Sequence, residues 1–244
     1  MSSLHVLPVS GIPELREGDD LAAMIVERVE LEPGDVVAVV QKAISKVEGR
    51  VVRLDGIEPS ERAKAIAGDD GDAARRIEVI LREAKRIVRV RPPLVICETQ
   101  HGFICASAGV DASNSPEPGM LVLLPVDPDA SAARLRDELR ARTGVDVGVL
   151  VTDSFGRPWR QGTTDVAVGA SGVEVLRDLQ GRRDPIGYEL HATVIAIADE
   201  IAGAAQLVSG KLDRVPVTIV RGLDLRGDGK ATDIPIPPER DLFG

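Results

Sequence analysis

A nearly unbroken run of small and aliphatic residues ends abruptly in polar chemistry at Val147-Gly148-Val149-Leu150-Val151-Thr152-Asp153-Ser154-Phe155-Gly156-Arg157-Pro158-Trp159-Arg160-Gln161-Gly162. Its first half reads as a buried strand, which must be covered on both faces and so belongs inside a layered protein. Groups at the carboxyl end of such a strand face the crevice where ligands bind. Asp153 can hold a metal there, and Arg157 and Arg160 can grip a phosphate or carboxylate through paired hydrogen bonds. A strand, a turn and a structural ion pair would account for the same residues without a ligand.

A second β-branched run, residues 36–40, predicts a central strand. It leads into Gln41-Lys42-Ala43-Ile44-Ser45-Lys46. If this segment turns helical, Lys42 and Lys46 share a face, an arrangement that favours an anion between them. Two solvated lysines are the plainer alternative. Further along, Ser107-Ala108-Gly109-Val110-Asp111-Ala112-Ser113-Asn114 is a small-residue loop where backbone can approach a ligand closely. Asp111 and Asn114 offer oxygen donors suited to Mg²⁺ or Mn²⁺, or form an ordinary Asx turn.

Around these stretches the chain alternates strands and helices, which predicts an α+β (mixed α/β) protein. Strands are expected at residues 4–9, 94–97, 103–106, 120–124, 166–170 and 215–220, with 94–97 and 103–106 forming a hairpin. Helices are expected from the Asp19-Asp20 cap to about residue 29, after Ser60, over 73–88, and over 131–142 with Gly144 as the stop. A capping box at Ser171-Gly172-Val173-Glu174 predicts another helix start. Residues 193–198 fit strand or helix, and the tail from Pro235 is expected to be irregular. No linker stands out, so residues 1–244 are expected to form one module, with room for two intertwined subdomains.

Composition excludes several classes of function. Aromatic residues are 2% of the 244-residue chain and the net charge is −9. Single-stranded nucleic-acid platforms and broad phosphate-backbone surfaces are therefore not expected. No run approaches the ~18 apolar residues of a membrane span. The N-terminus lacks a basic, then apolar leader, so a cytoplasmic location is expected. Cys97 and Cys105 read as reduced core thiols.

The familiar nucleotide motifs are missing. Ser209-Gly210-Lys211 looks like the end of a P-loop, but Ala205 stands where glycine is required and Leu212 where Ser or Thr is. There is no G-x-G-x-x-G, so neither a P-loop nor a Rossmann site is expected. His5, His101 and His191 are too scattered for a histidine-centred triad or zinc site. What remains is Asp111 and Asp153 with Lys42, Lys46, Lys211, Arg157 and Arg160 at comparable junctions. Hard-cation ligands with several positive groups suit nucleoside triphosphate chemistry.

Taken in order, Leu7-Pro8-Val9-Ser10-Gly11-Ile12-Pro13, Ile44-Ser45-Lys46-Val47-Glu48-Gly49-Arg50, Pro59-Ser60-Glu61-Arg62-Ala63, Ala108 through Asn114, Val151-Thr152-Asp153-Ser154 with Gly156-Arg157, and Ala198-Asp199-Glu200-Ile201-Ala202 resemble the signature blocks of the coenzyme F420:L-glutamate ligases. That family has its own α+β fold. The resemblance implies a ligase that adds L-glutamate to the lactyl-phosphate carboxylate of coenzyme F420-0 and consumes GTP, with a second, γ-linked glutamate as an extension. It further implies two divalent cations (Mn²⁺ or Mg²⁺), promotion by K⁺, and a homodimer.

Carried over by position, Gly11, Ile12, Pro13, Glu14, Gln41, Lys42, Lys46 and Asn114 would contact GTP, and the loop Ser209, Gly210, Lys211 through Asp213 would close over it. Asp111, Asp153 and Ser154 would be the metal ligands, and Asp153, Lys46 and Arg157 the catalytic set. Ser154 stands where the family usually has Thr and keeps the hydroxyl. Some relatives carry a C-terminal flavin-binding domain; the sequence stops before one, so no flavin is expected. The rival readings are another nucleotide-dependent carboxylate ligase or phosphotransferase, and a non-catalytic nucleotide-binding regulator.

Overall fold

A computed structural model of the chain describes residues 3–242. The leader reading at Met1 and Ser2, and the chain end at Phe243 and Gly244, lie outside the described residues. In chain order the elements are β1 (His5–Pro8), α1 (Leu21–Val26), β2 (Val36–Val40), α2 (Gln41–Val47), β3 (Val51–Arg53), α3 (Glu61–Ala67), α4 (Gly71–Glu83), β4 (Ala84–Arg91) and β5 (Leu94–Thr99). They continue with β6 (Ile104–Ala106), β7 (Met120–Val122), α5 (Pro128–Thr143), β8 (Gly148–Arg157), β9 (Arg160–Ser171), β10 (Arg177–Asp178), β11 (Val194–Ile195), α6 (Ile197–Ser209) and β12 (Val217–Arg221). The class is α+β, as the alternation of elements predicts.

The main sheet has the order β1-β12-β2-β8-β9. Its centre is the parallel pair β2 and β8, in register from Val36↔Gly148 to Val40↔Thr152. These are the two most continuous β-branched and aliphatic runs of the chain, and they are buried because α5 and α6 pack on the sheet around them. Val37, Val39, Val149, Leu150 and Val151 are fully buried, and this core gathers most of the apolar side chains. A second apolar cluster, around Val79, Ile80, Val95, Cys97, Leu121 and Leu123, lies beneath α4 and the β4-β5-β6 sheet. Both thiols are free and buried, as expected.

Helix ends follow local chemistry. Asp20 accepts from Ala23 N–H at the start of α1, Ser60 from Ala63 N–H at α3, and Asp127 from Ala130 N–H at α5. Gly144 (φ 72°) closes α5 in the left-handed conformation that glycine adopts without strain.

Four expectations need correction. The helix predicted over 73–88 stops at Glu83, and Ala84 opens a strand. Its apolar positions fit a helical stripe, but the β5 edge offers Ala84 to Arg91 a ladder, and Val88 ends up 38% exposed. Helix α1 ends at Val26, because Arg28 folds back to donate to the carbonyls of Met24 and Gly11. The Ser171–Glu174 box starts no helix. Gly172 (φ 72°) turns the chain, and extended backbone buries Val173 and Val175 on alternate positions. Strand β8 does not break at Asp153 but runs on to Arg157, paired with β9 up to Arg157↔Arg160.

Candidate active site

Helix α2 begins directly after β2, and Asp153 follows the last β2–β8 pair, Val40↔Thr152. Lys42 and Asp153 therefore lie at the same end of the parallel β2–β8 pairing, although β8 itself runs on beside β9; in layered folds groups at the end of parallel strands meet ligands. Lys42 is 9% exposed and Lys46 8%, which overturns the plain reading of two solvated lysines. Burying an ammonium is costly without partners, and both have one.

Lys42 Nζ donates to Asp111 Oδ2 at 2.5 Å and to Ser113 Oγ at 2.7 Å. Asp111 is pinned by a backbone bridge to Val122 in β7 and accepts the Ser113 N–H at 2.7 Å. The loop before it needs unusual backbone: Ser107, Ala108 and Gly109 all have positive φ. A side chain at Gly109 would place its Cβ 2.6 Å from Leu124, so glycine alone fits there. Burial pushes the Asp111 carboxyl up, but the Lys42 ammonium and the Ser113 donors outweigh it and hold the group below its usual range. Burial lowers Lys42, and Asp111 opposes this only in part; the charges of Lys211 and Asp153 reach the same ammonium.

One helical turn on, Lys46 pairs with Glu14. The Gly11–Glu14 segment is held by buried Ile12 and by the Arg28 hydrogen bond to Gly11 O at 3.0 Å. Gln41 is fully buried; its Oε1 accepts from Ser45 Oγ at 2.9 Å, whereas its Nε2 has no partner among the described residues. Gln41, Lys42 and Lys46 thus lie on one short helix, with Glu14 and Asp111 brought to them from two distant segments.

Asp153 carries the largest perturbation among the acids. Burial pushes its carboxyl up to about 7; the Ser154 N–H and Lys42 oppose this, while Asp165 and Asp111 add to it. Cys105, on β6, is pushed up to about 12 by burial and then by the Asp153 charge, so it is an inert neighbour rather than a nucleophile.

Not all expected residues converge. Strand alternation puts the Ser154 side chain on the face opposite Asp153. There its hydroxyl donates to Asp165 Oδ1 at 2.6 Å. Arg157 lies four residues beyond Asp153, roughly 13 Å along an extended strand. Its guanidinium donates to the Gln161 carbonyl at 3.4 Å near the hairpin turn, where Arg160 is exposed. Asn114 is exposed with φ 54°. Ser209 is buried at the end of α6, and Gly210 follows with φ 60°. A Cβ at Gly210 would fall 2.0 Å from Asp213 Oδ2, so the loop folds its own carboxylate over the helix end.

Sequence reasoning missed Asp165, which is buried opposite Ser154, and Gln206, whose Oε1 accepts the Asp165 N–H at 3.0 Å. An acidic residue directly preceding the apolar run Val166-Ala167-Val168 was the available signal.

Two buried ammonium groups, each set against a carboxylate, thus lie with a third carboxylate pushed up toward neutrality at the end of a parallel strand pair. The chain matches the family model described as F420-0:Gamma-glutamyl ligase over residues 11–222 and belongs to that family. It is 49% identical over 249 aligned residues to the coenzyme F420:L-glutamate ligase of Methanopyrus kandleri, covering 100% of this chain and 98% of that one. It is 43% identical to the protein of the same name from Archaeoglobus fulgidus (98% and 96% covered) and 40% identical to that from Methanocaldococcus jannaschii (95% and 94%).

Proposed function

We propose that this protein joins the amine of L-glutamate to the lactyl-phosphate carboxylate of coenzyme F420-0, with GTP as the activating nucleotide. The observation that carries the reading is the family match over residues 11–222, together with the Lys42–Asp111 pair, whose ammonium also feels the charge of Asp153.

A carboxylate cannot expel oxide, so the acceptor must first be activated. A carboxylate oxygen of F420-0 attacks the γ-phosphorus of GTP, the bond to the β-phosphate oxygen breaks, and GDP leaves. The glutamate amine then attacks the acyl carbon, inorganic phosphate departs, and the amine gives up a proton as the amide forms. Extension through the γ-carboxylate of the first glutamate repeats the same chemistry.

Lys42 and Lys46 are placed to neutralise charge on the triphosphate, releasing Asp111 and Glu14 from their present pairs as they do so. Buried amide Gln41 Nε2 offers a further donor. Among the described residues no three His, Cys, Asp or Glu side chains form a ready metal cage. That fits a hard divalent ion, Mn²⁺ or Mg²⁺, which takes one or two carboxylates and draws its other ligands from phosphate and water. Asp111 and Asp153 would hold it. Such ions supply charge neutralisation and a template for the phosphate. Ser154 as a ligand of a second ion, K⁺ promotion and a homodimeric working unit belong to the same proposal.

Incubation with F420-0, L-glutamate, GTP and Mn²⁺, read by mass spectrometry, tests it. A product heavier by one or more glutamyl units, absent without GTP, is expected. GTP hydrolysis without glutamylation would assign another acceptor, and no reaction of either kind would reject the ligase.

A further inference from the structure

The face of the β8–β9 hairpin opposite Asp153 carries a buried polar cluster of which the proposed chemistry uses only Ser154. Asp165 is 5% exposed and lies directly across from Ser154 in the ladder. Its Oδ1 accepts the Ser154 hydroxyl at 2.6 Å, and its Oδ2 accepts the Thr152 hydroxyl at 3.3 Å. Its own N–H donates to Gln206 Oε1 of α6 at 3.0 Å. Among the described residues no cation contacts this carboxylate, and a buried carboxylate without one is expensive; a polar pair in its place would cost less. The expense calls for a role.

Thr152 and Ser154 flank Asp153 on both sides, and both side chains are tied to this one carboxylate. The two residues on either side of Asp153 are therefore both tied to Asp165, next to the register shift between Val151 and Thr152, where Val168 of β9 is the extra residue. A bulge of this kind re-aims nearby side chains. By taking the hydroxyl proton of Ser154, Asp165 also leaves the lone pairs of that oxygen free to face a ligand.

We propose that Asp165 is a positioning residue: through Ser154 and Thr152 it fixes the direction in which Asp153 leaves the strand toward Lys42 and Asp111. The proposal rests on the reading of Asp153 as a metal ligand. Partners one step removed from a metal ligand are typically worth about 10–100-fold in metal affinity.

Mn²⁺ binding followed by electron paramagnetic resonance, with turnover measured in parallel, tests this in the full chain. Asp165→Ala is expected to weaken Mn²⁺ binding about 10-fold, while Asp165→Asn, which keeps an acceptor oxygen, stays within about 3-fold of the parent. In a Ser154→Ala background, Asp165→Ala should add less than it does alone, because the two act through one contact. Melting curves confirm that each variant is folded; should Asp165→Ala not fold, Asp165→Asn and Thr152→Val/Ser154→Ala carry the comparison. Unchanged Mn²⁺ affinity in Asp165→Ala, or strictly multiplicative losses in the double variant, would overturn the proposal. Absence of Asp153-dependent Mn²⁺ binding in the parent overturns it together with the metal reading, whereas Mn²⁺ binding without glutamylation overturns the ligase reading alone.

Discussion

Lys42 and Asp111, 69 positions apart, meet at 2.5 Å where a helix anchored in the main core faces a loop anchored in the second. The pair links segments anchored in the two cores. It also holds the Asp111 carboxyl below its usual range, toward the ionised form that a divalent ion would require. Lys42→Met is expected to abolish glutamylation, with a loss of at least ~100-fold in kcat/KM. Because the Asp111 side chain stays 36% exposed, stranding it should cost only about 1–2 kcal/mol. Lys42→Arg should not restore activity, since a planar fork cannot replace a compact ammonium in so confined a site. Turnover and Tm measured on both variants decide this, and a Lys42→Met enzyme with near-normal turnover would remove Lys42 from the mechanism.

Lys46 is buried one turn further along α2 and is paired to an exposed glutamate, so its partner can be exchanged for a ligand phosphate at little cost. Lys46→Ala should raise the KM for GTP about 10-fold with a smaller change in kcat, the mark of a contact made equally in ground and transition states. An unchanged KM for GTP counts against the assignment.

With the Asp153 carboxyl pushed up to about 7, the folded protein keeps a proton that the unfolded chain, with a carboxyl near ~3.9, has released. Between those values the native state binds more protons than the unfolded state. The metal-free protein should therefore lose stability as pH rises from about 4 to about 7 and level off above. Asp153→Asn removes that dependence. It should melt several degrees above the parent at pH 8 without divalent metal, at about 2–4 °C per kcal/mol relieved, while making no product. A variant less stable than the parent at pH 8 contradicts the burial argument.

Gly169 packs against the start of α5 so closely that a Cβ would sit 2.3 Å from the Pro128 carbonyl oxygen. Backbone on both sides cannot yield as a flexible side chain would. Gly169→Ala should destabilise the protein by roughly 1–3 kcal/mol, the usual cost of overpacking, seen as a lower Tm. An unchanged Tm would mean that α5 shifts freely on the sheet.

Much of the framework was legible because it rests on local chemistry. The two β-branched runs became the parallel centre, Gly144 ended α5, and Asp20 and Ser60 capped their helices, each decided by residues close in sequence. Lys42 and Lys46 were picked out by spacing, and Asp111 and Asp153 by their positions at an oxygen-rich loop and a strand end. What failed were segments whose local pattern admitted two states. Residues 84–88 could extend α4 or pair with β5, and Glu174 could cap a helix or turn its side chain to Arg177. In both places a distant strand or a buried valine settled the matter.

The sequence alone determined which side chains carry charge and which runs must be buried, because hydrophobic periodicity and turn chemistry act over a few residues. It determined, too, the blocks through which the family resemblance is read. Only the tertiary structure decided that Asp111 lies against Lys42, that Glu14 closes on Lys46, and that Asp165 sits behind Ser154. Those pairings join segments separated by up to 69 positions, and how deeply each is buried depends on both segments at once. Burial is a property of what packs around a group, which no stretch of neighbouring residues contains.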